Sequence, residues 1–102
     1  MKYGLSDSTI TKIQHVFVRF AQVDKAVVYG SRAKGNFRPG SDIDLTLFGK
    51  ELDQRQCSEI AESLDDLLLP YMIDLSIFEQ LSHSDLKEHI ERVGKIFYQR
   101  IQ

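Results

Sequence analysis

The chain has 102 residues, which suits one compact domain spanning residues 1–102 and no more. Thirteen Lys and Arg residues against fifteen Asp and Glu leave a formal net charge of −2, so the general electrostatic drive of a non-specific nucleic-acid binder is missing and no direct nucleic-acid contact is expected. The single cysteine, Cys57, excludes an internal disulfide and a cysteine-based zinc site, no apolar run approaches membrane-spanning length, and residues 1–20 lack a signal-peptide pattern, so a cytoplasmic protein is expected.

In chain order, residues 6–21 predict an amphipathic helix. Ser6 or Ser8 can cap it, and Ile10, Ile13, Phe17 and Phe20 recur at helical spacing on the side that would cover a core. Val16 and Val18 widen that apolar surface toward a partner-binding face. A strand follows over residues 25–29, where Val27, Val28 and Tyr29 are β-branched or aromatic. Gly30-Ser31 breaks it, and Gly35, Pro39 and Gly40 keep the next segment a loop bearing Arg32, Lys34 and Arg38. A second strand is predicted over 42–48 and a helix over 53–68, with Cys57, Ile60, Ala61, Leu64, Leu67 and Leu68 inward. Cys57 therefore reads as a small core residue. Pro70 ends that helix, and a third strand is predicted over 71–78. Ser82 and Asp85 have capping-box spacing at the start of a last helix, which Gly94 stops, and residues 95–99 suit a short closing strand or an apolar tail. His15, His83 and His89 cluster with no carboxylate at ligand spacing and read as surface or helix-end residues. These elements predict an α/β fold: a small mixed β-sheet with helices packed on one face and an acidic cleft on the other.

The chemistry concentrates in residues 27–47. A strand alternates its side chains, so Asp42 and Asp44 project from one face and Ile43, Leu45 and Leu47 from the other. Two carboxylates about 7 Å apart repel unless a cation lies between them, and Mg²⁺, which takes oxygen ligands and is completed by water and substrate phosphate, suits that role. Gly30 permits a sharp turn and a close approach to a ligand. Ser31 can cap the helical turn begun by Arg32, Ala33 and Lys34, leaving N–H groups that favour phosphate. The position of Arg32 and Lys34, between a phosphate-suited turn and a metal-suited strand, makes them candidate phosphate contacts. Ser41, beside Asp42, belongs with the nucleotide-binding set, although a hydrogen bond within the loop would also account for it. In the third strand Asp74 alternates with Ile73 and Leu75, so if the second and third strands are neighbours it joins Asp42 and Asp44 on a shared face. The Gly30–Gly35 interval is not a phosphate-binding P-loop, because Asn36 stands where Lys is required.

Gly30-Ser31, ten residues, Asp42-Ile43-Asp44, then Asp74 in an apolar strand resembles the nucleotidyltransferase fold of the DNA polymerase β superfamily. The short chain is most similar to the minimal nucleotidyltransferase branch, the antitoxins that pair with HEPN-domain toxins. That resemblance covers nearly the whole chain. It implies that Gly30 and Ser31 hold the β- and γ-phosphates of ATP, that Asp42 and Asp44 ligate two Mg²⁺ ions, and that Asp74 completes the ion site that activates the acceptor. It further implies AMP transfer from ATP onto a tyrosine hydroxyl of a HEPN ribonuclease encoded by a neighbouring gene, and a hetero-oligomer with that partner. The alternative is an antitoxin that neutralises its partner by complex formation alone. A transferase acting on a small molecule is disfavoured, because a chain this short offers no second substrate-binding domain. The Arg and His pattern of the HEPN ribonuclease is absent here, so the chain is not the toxin half.

Overall fold

The computed structural model describes residues 1–101. Its elements run α1 (Asp7–Val18), β1 (Lys25–Tyr29), α2 (Gly30–Lys34), β2 (Ile43–Phe48), α3 (Gln54–Asp65), β3 (Ile73–Ile77), a 3₁₀ turn (Phe78–Gln80), α4 (Ser84–Val93) and β4 (Lys95–Gln99). The four strands form one sheet in the order β3-β2-β1-β4. β1 pairs antiparallel with β2 and β4, while β2 and β3 run parallel, so the sheet is mixed.

The helices start where the sequence supplies a cap. The Ser6 hydroxyl accepts the Thr9 N–H at the start of α1, and Asp53 with Gln56 forms a full capping box on α3. α4 departs from expectation. It begins one residue later than the Ser82 signal implies, and the cap is His83, whose Nδ1 accepts the Leu86 N–H at 3.3 Å. Residues 95–99 form a true edge strand, not a tail.

The core sits between the sheet and the pair α1 and α3. Ile13 and Phe17 of α1, Val28 of β1, Leu45 and Leu47 of β2 and Ile60 of α3 are fully excluded from solvent. Each such side chain contributes roughly 1.5–3 kcal/mol on burial. α3 makes β2-α3-β3 a parallel crossover, which a two-residue hairpin cannot achieve. The opposite face of the sheet is only partly covered: α4 lays Ile90 against Val27 and Tyr29, and the rest of that face is where the acidic residues emerge. Among the described residues no helix is long and apolar enough to cross a membrane.

Candidate active site

The register puts the acidic residues together. In the parallel pair Asp44 stands opposite Asp74, and in the antiparallel pair it stands opposite Tyr29. Adjacent strands lie about 4.8 Å apart and opposed residues share a face, so the carboxylates of Asp44 and Asp74 are immediate neighbours. Two residues along, the Ser76 hydroxyl donates to the Thr46 hydroxyl at 3.0 Å, bridging the same two strands on the same face. Asp42 is exposed in the residue before β2 begins.

Gly30 closes the other side. β1 ends at Tyr29 and the chain turns at once into α2, with Gly30 at φ +71°, a left-handed value that suits glycine. A Cβ on Gly30 would overlap Oδ2 of Asp44, so the turn rests directly on that carboxylate. The Gly30 N–H in turn donates to Nε2 of His89 at 3.2 Å.

Electrostatics single out Asp44. Burial, then Asp74, then Asp42 push its carboxyl above the ordinary range. Burial also raises the Tyr29 phenol, Asp74 and Asp44 add to that, and a hydrogen bond with Ser76 opposes it. The one ion pair among the described residues joins Arg92 to Glu88 on α4, so no protein cation neutralises the three aspartates.

Against this geometry stands the family comparison. The family model described as polymerase beta, nucleotidyltransferase matches residues 11–102. The chain belongs to the polymerase beta nucleotidyltransferase family. Solved structures share the fold. A toxin–antitoxin complex with AMP-PNP superposes with a TM-score of 0.71 at 23% identity, covering 94% of this chain and 75% of that one. The tri-AMPylated Shewanella oneidensis HEPN toxin in complex with MNT antitoxin gives 0.70 at 19% identity, covering 94% and 74%. The toxin–antitoxin pair MntA–HepT gives 0.69 at 20%, covering 93% and 74%. Nothing among the curated proteins matches.

Within this nucleotidyltransferase fold the sequence-derived candidates divide. Asp42, Asp44, Asp74 and Gly30 come together as described. Ser31 lies in the first turn of α2 but does not cap it; Tyr29 holds the cap position, and no side chain closes it. Lys34, the last residue of α2, is exposed. Ser41 braces its loop: its hydroxyl oxygen accepts the Arg38 N–H at 2.9 Å.

Arg32 requires a correction. A phosphate contact needs a guanidinium open to the cleft, whereas Arg32 is 2% exposed. It donates to the carbonyls of Tyr3, Pro39 and Ser41, between the rings of Phe37 and Tyr71. Its fork anchors the 35–42 connector and the N-terminal segment, because five planar donors match several converging carbonyls as no other side chain can.

The donor set suits Mg²⁺: three carboxylates gathered beside the Gly30 turn supply the oxygen ligands that this ion takes. Among the described residues no three His, Cys, Asp or Glu side chains close into a finished metal cage. An ion held by one or two carboxylates, with phosphate and water completing the octahedron, needs none. Two residues at the site escaped the sequence reading, Tyr29 and His89. His89 left a trace, since it falls with Leu86, Ile90 and Val93 on one stripe of α4, a polar residue in an apolar series.

Proposed function

We propose that this chain is a Mg²⁺-dependent adenylyltransferase antitoxin that transfers AMP from ATP to a tyrosine hydroxyl of a HEPN-domain toxin and thereby silences it, in a cytoplasmic hetero-oligomer. The observation that carries the reading is the in-register pair Asp44 and Asp74 against the Gly30 turn, with Asp42 beside them and no protein cation between. The resemblance in fold to an antitoxin seen with AMP-PNP and to one seen with an AMPylated HEPN toxin supports the choice of nucleotide and partner.

In this reading Asp42, Asp44 and Asp74 would hold Mg²⁺, which when bound compensates the triphosphate charge and acidifies the acceptor hydroxyl. Gly30 and Ser31 orient the β- and γ-phosphates, with Lys34 reaching toward them from the end of α2. The acceptor oxygen attacks the α-phosphorus, the bond from that phosphorus to the bridging oxygen breaks, and pyrophosphate leaves. Asp74, exposed on its strand, is placed to take the acceptor proton. No covalent enzyme intermediate is needed, because alignment and charge compensation do the work.

The test incubates the protein with ATP, Mg²⁺ and the product of the neighbouring gene, and reads the partner's mass. The expected result is addition of AMP to a tyrosine, reduced by a factor on the order of 10²–10³ in Asp42→Asn. Full neutralisation by Asp42→Asn with no mass change would establish the binding-only antitoxin instead.

A further inference from the structure

The Gly30 turn is tied to a helix 59 residues away in sequence. Nε2 of His89 accepts the Gly30 N–H at 3.2 Å, and the imidazole meets Tyr29 edge-on, with centroids 6.2 Å apart and planes at 79°. An acceptor at Nε2 fixes the ring as the neutral tautomer with its proton on Nδ1. α4 is itself held on the sheet by Ile90 against Val27 and Tyr29, so the imidazole reaches the turn from a rigid support.

The mechanical consequence runs through Gly30 to Asp44. A side-chain carbon at Gly30 would overlap Oδ2 of Asp44, so the turn stands directly against that carboxylate. A turn free to shift would lose that close fit. We propose that His89 is a positioning residue: by pinning the Gly30 amide it fixes the turn, and through the turn the Asp44 carboxylate, in the arrangement that AMP transfer requires. This rests on the adenylyltransferase reading above.

Three variants separate the hydrogen bond from mere packing. His89→Phe keeps a ring against Tyr29 and removes the acceptor. His89→Gln places an amide oxygen close to where Nε2 lies, and His89→Asn places one nearer the Nδ1 position, a bond too short. Hydrogen exchange at the Gly30 amide, followed by NMR in the full chain without metal or nucleotide, should quicken about tenfold in the Phe and Asn variants and stay near wild type in the Gln variant. AMP transfer at saturating ATP should follow the same order, about tenfold down for Phe and Asn and recovered for Gln, with melting temperatures close together. Wild-type exchange and turnover in His89→Phe would overturn the proposal, and so would a Gln variant no better than Phe. If Gly30 protection follows the acceptor at position 89 while wild-type protein modifies no partner, the adenylyltransferase reading fails and the His89–Gly30 coupling stands.

Discussion

At Gly30 two separate requirements exclude a side chain, and Gly35 offers the control. Both have left-handed backbones, with φ of +71° and +89°. Only at Gly30 would a Cβ strike Asp44; at Gly35 nothing lies within 4 Å of it. Alanine at either position should cost about 1–2 kcal/mol of strain, measurable by denaturant melts. Under the proposed function, Gly30→Ala alone should also displace the Asp44 carboxylate and reduce AMP transfer by a factor on the order of 10², whereas Gly35→Ala keeps most of its activity. Equal activity losses would show that the contact with Asp44 is immaterial. The site residues legible in the sequence are those placed by short-range rules. Strand alternation puts Asp42 with Asp44, and the same rule turns Asp74 to the face its parallel partner shares. Tyr29 and His89 depend on which strands and helices meet, which no local pattern states. Arg32 was misread for the same reason, because one of its acceptors, the Tyr3 carbonyl, lies 29 residues upstream.

Among the elements, the connector between α2 and β2 depends most on one side chain. Its Gly, Pro and Asn residues supply little burial, and several backbone carbonyls would face inward without donors. Arg32 supplies three hydrogen bonds to two of them, two to Ser41 and one to Pro39, and a fourth to the Tyr3 carbonyl of the N-terminal segment. Lysine keeps the charge but has one nitrogen in place of three, so Arg32→Lys should destabilise the fold by about 2–3 kcal/mol through unpaired buried carbonyls. The residual folded protein should still show the Mg²⁺-dependent nucleotide binding that the proposed function requires, because the guanidinium does not face the cleft. Unchanged stability with lost binding in a calorimetric titration would restore Arg32 to the phosphates. Element types were otherwise legible: apolar periodicity and turn residues mark the three strands, the long helices and the site-bearing crossover. Boundaries drifted inward by a few residues, as at α1, predicted over 6–21 and ending at Val18. The α1–β1 connection has no glycine or proline to announce that end.

Over the whole molecule a nearly balanced charge conceals a segregation. One face of the sheet is sealed by α1 and α3 with aliphatic side chains, and the other gathers Asp42, Asp44 and Asp74 at one end. Burial and then its two acidic neighbours raise the Asp44 carboxyl, so the folded chain holds that proton more tightly than the unfolded chain does. Its contribution to stability is complete below the unfolded pKa and is lost as pH rises through the folded value. In the presence of a chelator, the melting temperature should therefore fall as pH climbs out of the ordinary carboxylate range, and then level. Asp44→Asn carries no charge to repel, so it should flatten that limb and melt higher than wild type at neutral pH. Mg²⁺ with a non-hydrolysable ATP analogue should reverse the order. At a hundred times Kd, linkage adds about 2.7 kcal/mol, which for a chain of this size is roughly 10–20 °C, and Asp44→Asn should receive little of it. Equal shifts in both proteins would mean that the cation and the nucleotide bind elsewhere. A chelated Asp44→Asn protein that melts below wild type would mean that the carboxylate stabilises the fold through a contact other than the acidic cluster.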